Sequence, residues 1–286
     1  MNGGSSVAAP LGISGPSPTP GTPDLPTAAR VSTGLAIVAS VVAWVALLGP
    51  FGELISHISP RSATAAFHQP GAFDPLVTSL AASAAALGAI VLLGTPLAWM
   101  LAHHRLPAPR LWNIGLLIPL LMPPLVIGLL LIYLYGPRSP IGELIAHVHL
   151  SATNTFLALV IAEIYEAAPY YVLGAQSAFS EVDPHLEQAA GLLGHPPRRV
   201  LRAVTLPMAA PGLATSLAFS WARAIGAFGA VVIIAYHPYG LPMKIWLSLQ
   251  DLGLPQALPF ALALVVVALP FPLAAFGWAA QARRRR

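Results

Sequence analysis

The stretch "DPHLEQAAGLLGHPPRRVLRAVTLP", Asp183–Pro207, interrupts two long apolar runs with charge, glycine and proline in one short interlude. Asp183 before Pro184 is a good helix start, because a carboxylate can cap free N–H groups while proline occupies the first turn without losing a needed donor. Leu186, Ala189, Ala190 and Leu193 then recur at helical spacing and predict one apolar face. Gly194 is placed to end that helix, and the "HPP" that follows prevents its continuation. A second helical piece, "RRVLRAVT", is expected to run to Leu206 and Pro207, where the chain turns back into the next apolar run. The interlude therefore reads as helix, break and helix lying at one face of something apolar.

What lies on either side is too apolar for a soluble globule. The 286 residues are 56% hydrophobic and only 8% charged, with a mean hydropathy of +0.74, which leaves too little polar surface to cover a compact domain. Six runs approach or exceed the ~20 apolar residues that cross a hydrocarbon core: Val31 to Phe51, Pro75 to Leu101, Leu111 to Tyr135, Ser151 to Ser180, Met208 to His237 and Pro255 to Gln281. Each is punctuated by Gly or Pro, as membrane helices tolerate, with "MPP" at Met122 to Pro124 breaking the third midway, and none alternates like the strands of a transmembrane barrel. The expected fold class is all-α, a polytopic membrane protein with six transmembrane helices.

Basic residues orient the spans. With the N-terminus inside, Arg30, Arg105, Arg110, Arg198, Arg199, Arg202 and Arg283 to Arg286 fall on the cytoplasmic side, and only Arg61, Arg138 and Lys244 fall outside, the asymmetry expected of an inner-membrane protein. Both termini are then cytoplasmic, and so is the interlude, residues 181–207. Residues 1–30, rich in Gly, Ser, Thr and Pro, are expected to form a disordered tail, and 282–286 a basic one. Absence of cysteine removes disulfides, thiol nucleophiles and thiolate metal sites. The basic clusters flank apolar runs without interleaved aromatics, so no nucleic-acid partner is expected; Arg198, Arg199 and Arg202 can meet lipid phosphates.

The interlude resembles the EAA loop of binding-protein-dependent ABC importer permeases, whose pattern is E-A-A, three residues, G, nine residues, I, one residue, L-P. Gln188, Ala189, Ala190, Gly194, Val204, Leu206 and Pro207 fit that spacing without a gap; Gln188 replaces the pattern's Glu, with Glu187 immediately before it. The resemblance covers about Pro75 to Gln281 and implies a type I importer core, 75–281, behind a first span at 31–51. It also implies that the loop couples to a separate ATPase. No phosphate-binding G-x-x-x-x-G-K-[ST] loop occurs in the chain, so ATP and Mg would belong to that partner and no cofactor to this chain. A single six-helix core implies two copies of the permease, two ATPase subunits and an extracytoplasmic substrate-binding protein.

The run "WARAIGAFGAVVIIAYHPYGLPMKIW", Trp221 to Trp246, resembles permeases for molybdate and tungstate and, more distantly, sulfate. Where that family reads A-R-x-[GS]-E-F-G-A, this chain has Arg223, Gly226, Ala227, Phe228, Gly229 and Ala230, so the acidic residue is missing. Arg223, Glu163 and Glu166 fall inside expected spans, where an isolated charge at the centre costs about 2.5–3.5 kcal/mol. Glu163 and Glu166 share a helix face, and one of them is expected to pair with Arg223 in place of the acid absent at Ala227. Arg223, Glu163, Glu166 and Phe228 are the pathway or buried-charge candidates. His103 and His104 read as loop histidines. The function implied is ATP-driven import of an oxyanion, molybdate or tungstate, with sulfate or thiosulfate as the alternative and no catalysis in this chain. A proton-coupled transporter or an intramembrane enzyme using the two glutamates would be the readings from other classes.

Overall fold

The computed structural model describes residues 27–58, 60–68 and 70–284. Most of the expected tail over 1–30, and Arg285 and Arg286 of the basic tail, lie outside the described residues. The chain divides into two units, Met1–Glu53 and Leu54–Arg286. The described part of the first belongs to α1 (Thr27–Ser56), which starts four residues before the expected Val31. It is apolar around its whole circumference, as a helix bathed in hydrocarbon must be.

The second unit begins with α2 (Pro60–Phe67) and α3 (Asp74–Ala102), continues through α4 (Pro109–Leu121), α5 (Pro124–Tyr135), α6 (Pro140–His147) and α7 (Phe156–Ser180), and reaches the interlude at α8 (Pro184–Leu192) and α9 (Pro197–Val200). A π-helical stretch, Leu201–Thr205, leads into α10 (Leu206–Ile225), followed by α11 (Val231–Ile234), α12 (Leu241–Leu252), α13 (Leu254–Ala268) and α14 (Pro270–Arg284). Among the described residues, five helical runs are long and apolar enough to cross a membrane, or six when α4 and α5 count as one broken span. Helix α7 is the centre. It packs between α3 and α10, and Leu87, Ile90, Tyr171, Phe179, Trp221 and Ile225 are buried together where the three meet. Small residues let the axes approach: a methyl added at Gly212 of α10 would stand 2.5 Å from the Ala178 side chain of α7.

Three expected spans differ in detail. Leu111 to Tyr135 breaks at the expected Met122 to Pro124, where α4 and α5 meet at 113°. Proline disfavours helical geometry in the residue before it, so Met122 (ψ 140°) and Pro123 (ψ 133°), each followed by proline, are both extended. The thirteen and twelve residues of the two halves rise only about 20 Å each, too short to span separately. Met208 to His237 is displaced as well, because a continuous helical run covers Pro197–Ile225. Pro207 therefore does not turn the chain. A proline inside a helix clashes with the carbonyl four residues back, and widening the helix is one way to relieve it; here Leu206 N–H bonds to Leu201 O across the π-helical turn. Gly226 then closes α10, and the residues after it form the short α11 and the unforeseen α12. Finally, Pro255 to Gln281 falls within one candidate span, Leu254–Arg284, in which α13 and α14 meet at Pro270.

Candidate functional site

The interlude is built from local rules. Asp183 caps α8, its carboxylate accepting from His185 N–H at 2.9 Å, with Pro184 in the first turn. At the other end Gly194 takes φ +83°, a conformation that costs an L-residue about 1–2 kcal/mol. That reversal lets Gly194 N–H reach Gly191 O at 2.9 Å and His195 N–H reach Ala190 O at 3.3 Å, the paired bonds that close a helix on a left-handed glycine. The closed helix carries an apolar tip: Leu192 is 90% and Leu193 79% exposed. Gln188 and Ala189 are exposed, Ala190 half-buried, and Leu186 is exposed on the expected face. Leu206 packs on the core formed by α3, α7 and α10, Val204 is half-buried in the π-helical turn, and Pro207 is exposed.

Glu187 does not face outward with Gln188. Its Oε2 lies 3.2 Å from His103 Nε2, at the end of α3, and its Oε1 accepts from the Thr205 hydroxyl. His103 Nδ1 in turn stands 2.9 Å from Trp99 O. The Trp99 ring lies against the His103 ring and carries the Arg105 guanidinium 4.5 Å above its centroid. These groups border a cavity of about 530 Å³ whose lining also includes His195 and Arg198. Thus Glu187, one residue before the motif position, ties α8 to the end of α3 and to the root of α10.

Deeper in the core, the structure selects between the two glutamates of α7. Arg223 Nη2 is 2.6 Å from Glu166 Oε2, and the Glu166 side chain is fully buried. Its Oε1 accepts from Ala230 N–H at 3.2 Å. Glu166 therefore holds the end of α10 and the start of α11 at once. Glu163, one turn earlier and 3% exposed, keeps an Oε2 that has no hydrogen-bond partner. Ala227, where an acid was missing, is buried in an apolar cluster with Ile127, Leu131 and Ala230. The Phe228 ring lies 5.7 Å from that of Trp246 on α12.

Residues 90–286 match the family of binding-protein-dependent transport system inner membrane components. The chain belongs to this family. A probable molybdenum ABC transporter permease protein of Haloferax volcanii is 34% identical over 236 residues, 82% of this chain and 86% of the relative. A molybdate/tungstate transport system permease protein of Thermococcus kodakarensis is 28% identical over 202 residues, 71% of this chain and 76% of that one. The fold is shared with a chain of the bacterial alginate ABC transporter, solved in complex with its pentasaccharide-bound periplasmic protein: TM-score 0.69 at 16% identity, covering 86% of this chain and 93% of that one.

This family member is accordingly a multi-pass membrane component of a transport system and not itself an enzyme. Among the described residues no three His, Asp or Glu side chains are grouped to hold a metal ion. Sequence reasoning missed His103, Thr205 and Trp99. The His103–Glu187 contact joins residues 84 apart in the chain, and no local spacing announces it. Only the Trp99–His103 separation of four, one helical turn, placed those two rings on one face beforehand.

Proposed function

We propose that this chain is the permease subunit of an ATP-driven importer of molybdate or tungstate, working as a pair of copies with two ATPase subunits and an extracytoplasmic substrate-binding protein. The observation that carries the reading is the tip of α8: Leu192 and Leu193 stand exposed on a helix rigidly closed at Gly194, a surface of the kind a protein partner covers. Family membership makes a nucleotide-driven subunit the fitting occupant, and the names of the relatives favour the oxyanion. In operation, closure of the ATPase pair pushes on α8, and the rigid run Pro197–Ile225 carries the displacement towards Arg223, Glu166 and α11. The termini lie in the cytoplasm and the chain sits in the cell membrane.

Reconstitution in liposomes with the cognate ATPase and binding protein tests this. Molybdate uptake should require internal ATP and both partners, and tungstate should compete more strongly than sulfate. Stronger competition by sulfate would move the assignment to the sulfate class. Uptake that persists without the ATPase, driven by a pH gradient, would replace it with a proton-coupled carrier.

A further inference from the structure

We infer that His103 and Thr205 are positioning residues that clamp the coupling helix α8 through Glu187, and that the clamp closes only while the His103–Glu187 pair holds one shared proton. The inference rests on the reading of α8 as the seat of an ATPase, and it adds to that reading the part that holds the seat still.

The proton count follows from donors and acceptors. Trp99 O can only accept, so His103 Nδ1, at 2.9 Å, must carry a hydrogen. In a neutral imidazole the other ring nitrogen, Nε2, is then a bare lone pair. Nε2 faces Glu187 Oε2 at 3.2 Å. An ionised carboxylate is also acceptor-only, and two acceptors do not bond. The contact therefore needs a proton between them, either on Nε2 as an imidazolium or on Oε2 as a carboxylic acid. Thr205 cannot supply it, since its hydroxyl hydrogen points at Glu187 Oε1.

The surroundings do not replace that proton. The charged and titratable side chains that share the cavity with the pair are Arg105, His195 and Arg198, and Arg105 is held over the Trp99 ring. Both members of the pair are about one-fifth exposed, 22% for His103 and 21% for Glu187, so bulk protons reach it. The mechanical consequence comes from placement. His103 ends α3, Glu187 sits in the middle of α8 and Thr205 is fully buried in the π-helical turn below α10. With the proton present, a push on α8 is delivered to two spans. Without it, α8 loses its tie to the end of α3 and keeps its caps, its Thr205 bond and its packing against α9 and the π-helical turn, and part of the push is dissipated in its own movement.

The test is the number of anions imported per ATP hydrolysed by the full reconstituted complex, measured with molybdate over a rising series of pH values. Loss of the proton accompanies rising pH, so the wild-type ratio should fall across the series by about three- to tenfold, the worth of roughly one net hydrogen bond. Glu187→Gln is the diagnostic variant. Its amide donates to a neutral Nε2 or, turned over, accepts from a protonated one, so its ratio should stay high and flat. His103→Ala should be flat and low. A second measurement, hydrogen exchange of residues 184–192 in the purified full-length permease, should show protection falling with pH relative to Glu187→Gln at the same pH. A flat wild-type ratio, a Glu187→Gln profile parallel to wild type, or exchange unchanged by either substitution would overturn the clamp. Those outcomes leave ATP-dependent uptake intact. Failure of the wild type to import at any pH, while exchange still follows the prediction, would instead remove the transport reading.

Discussion

At the scale of single residues, the Arg223–Glu166 pair is the most exacting feature of the core. Glu166 is fully buried and spends both oxygens, one on Arg223 and one on Ala230 N–H. Removing one partner of a buried pair strands the other and costs about 3–5 kcal/mol, whereas replacing both by apolar groups is often neutral. Loss of Glu166 strands Arg223, which keeps a quarter of its side chain exposed and can be solvated, whereas loss of Arg223 strands a fully buried carboxylate. Arg223→Met should therefore lower thermal stability of the purified permease beyond Glu166→Leu, and the Glu166→Leu/Arg223→Met double variant should recover most of the loss; a double variant worse than Arg223→Met would contradict the pairing. The sequence announced that one carboxylate of α7 should meet Arg223, because a charge inside a span needs a partner. It could not choose between Glu163 and Glu166, three apart on one helix face. The choice depends on where α11 folds back, and Ala230 N–H, 64 residues from Glu166, is what fixes it.

At the scale of elements, α8 shows how far local chemistry reaches. Its cap, its first-turn proline and its closing glycine act between near neighbours, and all three were readable as letters. The junction with α10 was not: proline at 207 suggested a turn, yet the helix accommodates it by widening over Leu201–Thr205, because α10 is pinned by packing against α7 and α3. The same limit explains α4 and α5, where the prolines announced a break but not its angle of 113°. Gly194 offers a clean test of the cap. Nothing stands within 4 Å of where a Cβ would be added, so substitution there meets only the backbone preference at φ +83°. Asn tolerates that region best among the side chains that carry a Cβ, and Ala is disfavoured by about 1 kcal/mol. Coupled uptake should thus decline in the order Gly194, Gly194→Asn, Gly194→Ala, with membrane yield unchanged. An alanine variant equal to wild type would show that the left-handed turn does not hold α8 in place.

At the scale of the whole unit from Leu54 to Arg286, the bent pair α4 and α5 leaves a question of parity that one contact answers. If the pair were re-entrant, α3 and α7 would be separated by no crossing, and the end of α7 would emerge on the face opposite to the end of α3. But His103, just past α3, touches Glu187, just past α7, at 3.2 Å. Helix α7 crosses once, its 25 residues rising about 38 Å against a core of about 30 Å. The segment between α3 and α7 must then cross an odd number of times, and α4 with α5 is one span. The same parity keeps Arg105, Arg110, Arg198, Arg199 and Arg202 together on one side and Arg138 on the other, the distribution that orients membrane proteins. Because the chain has no cysteine, single introduced thiols report sidedness without background. Arg110→Cys at the start of α4 and Val148→Cys beyond α6 flank the bent pair, and both positions are exposed in the native chain. In sealed vesicles a membrane-impermeant maleimide should label them from opposite faces, with Arg110→Cys reacting from the cytoplasmic one. Labelling of both from the same face would make α4 and α5 a re-entrant hairpin and would break the clamp and the assigned orientation together.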